Sequence, residues 1–502
     1  MSPPDRARSH APSRAESRAP SPAAEAEGMP APDPSLWPGA VPGAPAGAPA
    51  PERALPSMDL LRNAMEGVAA SALATCDAQG MVNVSIISQV HYVDPERVAL
   101  SYQFFNKTRR NLLSTGRASV AITDPATLAQ HRLQLVYEET RTEGPLFEQM
   151  RAQLMGLASH SGMDGVFRLR GADVFRVVGV ETVRPPEIAP PAPHRNLMAV
   201  ARRVFAAMAG ARELGELFDL TLERLAEDLG VEHAMILMHD EGSERLYTVA
   251  SRGYSASGVG SEVALGEGVV GVAARERAAI RIGHLTSAYG YARAIRDQAR
   301  EAGLDWDAAT AIPFPGLGAP SSQLALPILR GERLLGVLLC ESRRMLRFCH
   351  DDEDALALIA GHLGALAALL PQAAAAPEAP APARLGPAER PPAVTVRHFA
   401  FDDSVFLDND YLIKGVAGAI LWRLLREHAA TGREEFNTRE LRLDPSLRLP
   451  DHAENLDARL VLLRKRLDER EAPIRIEKSG RGRFRLCIAV PVELESAAPP
   501  QA

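Results

Sequence analysis

The chain has 502 residues, 46% hydrophobic and 24% charged, and a formal net charge of -7. That length exceeds a single core and suggests about three domains, while the mild acidity excludes a chain that is basic throughout, so any nucleic-acid site must be local. Four scattered cysteines (Cys76, Cys340, Cys349 and Cys487) with no CxxC spacing exclude a disulfide framework and a cysteine zinc centre.

No run reaches the ~18 uninterrupted apolar residues of a membrane span. No apolar core follows the early "PPDRARSH", as a signal peptide would require. The expectation is a soluble, cytoplasmic protein with no membrane partner. Residues 1–55 are Pro, Ala, Ser and Arg with almost no large apolar side chain, a composition expected to stay disordered. Proline-rich stretches at 184–194 and 371–393 then separate three blocks, 56–186, 195–370 and 394–494.

In the first block, "SALATCDAQGMVNVSIIS" reads as two strands around a DAQG turn, and "HYVDPERVALSYQFF" repeats the plan around DPER. "NKTRRNLLSTG" switches to helical spacing with Leu112 and Leu113 inward, "RASVAIT" resumes the sheet, and "GVFRLRGADVFRVVGVETV" supplies closing strands. Mostly strand with one or two helices reads as a small barrel. Residues 58–186 resemble the FMN-binding split barrel of the pyridoxamine 5'-phosphate oxidase superfamily. That resemblance implies a flavin phosphate held at the helix start by Lys107 and Thr108, with Asn106, Arg109 and Asn111 in the same turn. Ser85, Ser88 and Gln103 would lie near the rest of the flavin. A helix start suits phosphate because its N–H groups are unpaired and its dipole end is positive. The aromatic, Arg- and His-bearing end of the oxidase proper is missing, which argues against pyridoxamine phosphate oxidation. A cofactor-free barrel stays open as the alternative.

The second block opens with helical spacing and continues with "AMILMHD", "RLYTVASRG" and "LALPILRGERLLGVLLCES" as strands, the last holding a hairpin. "LGEGVVGVA" and "GERLLGVLLCES" followed by F and DDEDAL resemble a GAF domain, which implies a small-molecule ligand. "ESRR" stands where cyclic-nucleotide-binding members carry Asn-Lys, so Phe348, Asp352 and Glu353 read as a strand end and a helix cap. His284 reads as a wet loop residue. "FCHDDED" reads as a helix start whose acids complement the dipole. Leu356, Ile359, Leu363, Leu366 and Leu370 repeat at 3-4-3-4 spacing, which fits either a homodimer seam or packing on the domain's own sheet.

The third block gives paired strands, a helix through Ile420 and Leu424, a second helix capped by Asn437 or Thr438, a third over "ENLDARLVLLRKRLDER", and the hairpin "PIRIEKSGRGRFRLCI". It resembles the winged helix-turn-helix of response-regulator transcription factors. Residues 455–486 hold ten basic side chains against five acidic ones. Leu456, Leu460, Leu463 and Leu467 form the core stripe, and the resemblance implies that Arg459, Arg464 and Arg466 meet DNA from the helix while Lys478, Arg481 and Arg483 meet it from the wing. Val461 and Leu462 occupy positions that usually face DNA, and an apolar pair there fits docking onto protein instead. The reading is a multidomain α+β regulator: split barrel, GAF sensor, winged-helix output. A flavin-dependent oxidoreductase and a protein-docking scaffold are its rivals.

Overall fold

A computed structural model describes residues 57–65, 71–87, 90–102, 107–144, 146–151, 154, 169–189, 196–282, 312–318, 320–345, 347–373, 393–447, 449, 453–480 and 482–497. Ser88, Gln103, Asn106, His284 and Arg481 therefore lie outside the described residues, as does the 1–55 tail. The protein is a mixed α+β chain built on several sheets.

β1 (Ser71–Cys76) and β2 (Val82–Ile87) pair around the DAQG turn. There Asp77 accepts from the Gln79 and Met81 N–H groups at 3.1 and 2.8 Å, and Gly80 supplies the φ of +82° that other residues resist. β3 (Val90–Asp94), β4 (Arg97–Tyr102), α1 (Lys107–Thr115), β5 (Arg117–Thr123), β6 (Gln130–Arg141) and β7 (Gly171–Arg184) complete a seven-stranded antiparallel sheet in the order β2-β1-β5-β6-β7-β4-β3. Alternate side chains such as Leu73, Val98, Val120, Leu133 and Phe175 fill one core. Leu112 is buried in it, whereas Leu113 points to solvent: α1 has a single inward stripe, not two adjacent inward leucines.

Next come α2 (Leu197–Met208), α3 (Leu214–Leu229), β8 (His233–Asp240), β9 (Arg245–Arg252), β10 (Glu262–Ala264), α4 (Gly268–Glu276), β11 (Ile280–Ile282), β12 (Ser322–Arg330), β13 (Arg333–Ser342) and α5 (His350–Ala373). Their sheet runs β10-β9-β8-β13-β12-β11, with α2, α3 and α5 packed on one face and α4 on the other. α5 starts with Asp351, Asp352 and Glu353, and Asp352 accepts from the Cys349 N–H at 3.1 Å, so the acidic run is a helix cap. The helix presses close to the sheet: a Cβ on Gly364 would fall 2.5 Å from the Leu329 carbonyl oxygen. Leu356, Ile359 and Leu363 are consequently buried against their own domain, so the proposed homodimer seam is an intramolecular one. The stretch His350–Leu370 is long and apolar enough to cross a membrane by composition, and half of it is buried inside the fold.

The last block holds β14 (Val394–Phe399), β15 (Ser404–Leu407), β16 (Asp410–Ile413), α6 (Gly415–Thr431), β17 (Glu435–Asn437), α7 (Thr438–Leu443), α8 (Ala453–Glu469), β18 (Ile474–Gly480), β19 (Arg483–Ile488) and β20 (Val492–Ala497). Asn437 caps α7 by accepting from the Arg439 N–H at 2.8 Å. β20 returns to lie parallel to β14 at the edge of a four-stranded sheet, β16-β15-β14-β20, while β17-β19-β18 form a separate three-stranded sheet. The core of this block is continuous with that of the preceding one.

Candidate functional site

α8 is where the two cores meet. Leu456, Leu460, Leu463 and Leu467 form its buried stripe, and the neighbouring Val461 and Leu462 are 6% and 2% exposed. Val461 faces Gly215 of α3, where a Cβ would lie 3.5 Å from its methyl carbon, and Leu462 reaches within 3.6 Å of the equivalent point on Gly260. Both distances are ordinary van der Waals contacts, so the helix is packed against these two positions. The apolar pair thus docks onto protein, as its chemistry suggested.

Three of the four basic residues of α8 pair across the same seam, and the fourth, Arg466, is held within its own block. Arg459 is 4% exposed; its Nη2 lies 2.6 Å from Asp240 Oδ2, and its guanidinium sits 3.7 Å above the Tyr247 ring centroid. Burial pushes the Tyr247 phenol up to about 12, against the opposing pull of Arg459. Arg466, also buried, donates through Nε and Nη2 to the Leu412 carbonyl at 3.1 Å and pairs with Glu469. Lys465 meets Asp219 at 2.6 Å, and Arg464 and Lys478 share Glu213 at 3.5 and 3.8 Å. Arg459 and Arg466 therefore do not present themselves to a DNA groove in this arrangement. Arg483 stays exposed on the hairpin.

At the start of α1, two of the residues expected around a flavin, Thr108 and Ser85, come together with one that sequence reasoning missed, Asn83. Thr108 shares a hydrogen bond of 2.5 Å with Ser85, and Asn83 donates its amide to the same hydroxyl at 2.9 Å. Asn111 is turned away, donating to Thr75 at 3.2 Å. Lys107 is exposed. Arg109 is held by Asp173, donates to Thr140 at 2.9 Å and lies 4.1 Å over the Tyr102 ring, so it braces the sheet. A hydroxyl pair, an amide and a lysine at a helix start suit phosphate chemistry; Arg109 is already committed.

The six-stranded sheet carries a polar spot on its α4 side that no motif announced. Glu341, 2% exposed, accepts from Gln323 Nε2 at 2.6 Å and from the Leu317 N–H at 2.9 Å. Burial, then the adjacent Glu341, drives the Tyr254 phenol far above its ordinary value. Cross-strand register brings these groups together: Glu341 pairs with Gln323 on one side and His233 on the other. A buried carboxylate facing amide and phenol donors can anchor a polar ligand group. Burial raises the Cys340 thiol to about 12, which leaves it inert. Among the described residues no His, Cys, Asp and Glu cluster could hold a metal ion.

A six-stranded antiparallel sheet with helices on one face and a short helix on the other defines a sensor-type domain. Residues 211–366 match the family model of the GAF domain, and the chain carries a GAF domain there, with the sensory or regulatory role and small-molecule binding typical of such domains. Comparison with curated proteins gives no match. Among solved structures, the GAF domain of an Acinetobacter phosphoenolpyruvate-protein phosphotransferase is 19% identical, covering 34% of this chain and 93% of its own, at a TM-score of 0.27. An FMN-binding protein from Syntrophomonas wolfei is 20% identical over 26% of this chain and 89% of its own, at a TM-score of 0.22. Group A Streptococcus HupZ is 22% identical over 26% and 93%, at a TM-score of 0.21.

Proposed function

We propose that this protein is a sensory regulator in which the GAF domain, by binding a small molecule, governs whether a winged-helix output module is held or released. The observation that carries the reading is the buried Arg459–Asp240 pair, with Val461 and Leu462 seated beside it. A helix whose basic side chains are all matched by partners, among them the GAF acids Asp240, Asp219 and Glu213, is an output element kept in store. Its release would free Arg459, Arg464, Lys465 and the hairpin residue Lys478 for phosphate and base contacts beside the exposed Arg483, while Arg466 stays held by Leu412 and Glu469. A ligand shifts such an equilibrium only by binding one state better than the other.

A GAF-side charge reversal tests this without touching the output helix. Glu213→Lys with Asp219→Lys would repel Arg464, Lys478 and Lys465, and should give the full chain a low-salt mobility shift with mixed duplex DNA that wild type lacks. Absence of any shift from the doubly reversed protein would remove DNA from the proposal.

A second reading concerns the barrel, and the Ser85–Thr108–Asn83 cluster at the start of α1 favours it. FMN is the cofactor that these donors would hold by its phosphate, with Lys107 adding charge; once bound it would supply hydride-transfer chemistry. Lys107→Glu should abolish co-purifying flavin absorbance, and undiminished flavin in that variant would exclude the assignment.

A further inference from the structure

A cavity of about 250 Å3 lies where the GAF helices face the C-terminal hairpin. Leu214 and Leu460 form part of its apolar wall, and five cations line it (Arg212, Arg442, Arg464, Lys478 and Arg483) against the two carboxylates Glu213 and Asp457. Glu213 is taken up by Arg464 and Lys478, and Asp457 pairs with Arg442 at 3.5 Å. Among the described residues, the exposed Arg212 and Arg483 side chains make no ion pair. The Arg464 Nε–H is buried without an acceptor. Five cations against two carboxylates leave the cleft with a net positive charge, and an unmatched buried donor adds to the cost. Both are relieved by an anion with several acceptor oxygens.

We infer that this cleft binds a small phosphorylated molecule, a nucleoside monophosphate or a compound of similar size, with its phosphate among Arg212, Arg464 and Arg483 and its apolar part against Leu214 and Leu460. Charge-assisted bidentate bonds from arginine suit phosphate oxygens, and a phosphate offers more acceptor oxygens to several guanidiniums than a carboxylate does. The volume falls just under the ~300–1000 Å3 of ordinary small-molecule sites. A duplex is excluded, because GAF residues form one wall of the cleft. Gly482, with φ of +58°, brings hairpin backbone to the rim without a side chain in the way. This site is separate from the polar spot at Glu341. It spans two modules, so its ligand binds only the docked form and stabilises it by mass action. The inference rests on the docked arrangement proposed above.

The test is calorimetric titration of the full chain with pyrophosphate and with AMP at low salt, alongside small-angle scattering to read docking independently. Saturable binding is expected, weakened about a hundredfold in Arg212→Glu/Arg483→Glu, roughly tenfold for each guanidinium. Lys107→Glu should leave it unchanged, which separates this cleft from the barrel's phosphate-suited turn. Both charge reversals lie at exposed positions, and circular dichroism should show the fold intact. Equal affinity in wild type and the double variant overturns the site, as does binding of duplex DNA without either small phosphate. A docked wild type that binds neither probe sinks this inference alone, whereas an extended wild type sinks the docking reading with it.

Discussion

Replacing Arg459 with Ala removes the 2.6 Å pair with Asp240 and the stacking over Tyr247 in one step. Breaking a buried pair by deleting one partner costs about 3–5 kcal/mol. Asp240 keeps its bonds to the Ser243 hydroxyl at 2.8 Å and the Gly242 N–H at 3.3 Å, so its carboxylate is not stranded and the lower end applies. A loss of about 3 kcal/mol is more than a hundredfold shift from docked towards released. Small-angle scattering should report a larger radius of gyration for Arg459→Ala, and denaturant unfolding should split into two transitions as the shared core divides. Arg475→Ala, an exposed change on β18, is the control and should stay within about 0.5 kcal/mol of wild type. Unchanged scattering and an unchanged single transition in Arg459→Ala would refute the argument that this pair holds the modules together.

Acid should weaken the chain through His350, whose pKa is pushed down to about 2 by burial and then by the Arg281 and Arg62 charges. The unfolded chain binds that proton near pH 6.5, so stability is complete above this value and falls by about 1.4 kcal/mol per pH unit on acidification below it; denaturant midpoints at two pH values should show His350→Gln with the flatter slope. Ile359→Lys with Leu363→Lys places two charges in sites that are 0% exposed, and thermal unfolding should show the GAF domain losing its cooperative transition instead of yielding folded monomers.

What could be read from the residues were features set by near neighbours. The DAQG turn depends on one Asp and one Gly, the start of α5 on Asp352 reaching back three residues, and the core stripe of α8 on leucines one turn apart. What escaped depends on distant chain. β6 gives no turn signal strong enough to separate it from loop, and β20 reaches its place only by parallel pairing with β14, far away in sequence. Glu341 went unmarked within the strand LLGVLLCES because Gln323 and the Leu317 N–H meet it only through the folded sheet. Arg459 and Arg466 looked like a free basic face for the same reason: Asp240 and the Leu412 carbonyl carry no local mark as their partners. The apolar Val461 and Leu462 were the local sign that this face is covered.

The docking of α8 on the GAF domain is tested most directly by cysteines at Gly215 and Val461. A Cβ at 215 would lie 3.5 and 3.6 Å from the two Val461 methyl carbons, close to disulfide reach. Under mild oxidation, Gly215→Cys/Val461→Cys in the full chain should form an intramolecular 215–461 disulfide, identified by peptide mapping that sets aside the four native cysteines. Free thiols at both positions, or cross-links only between molecules, would contradict the account.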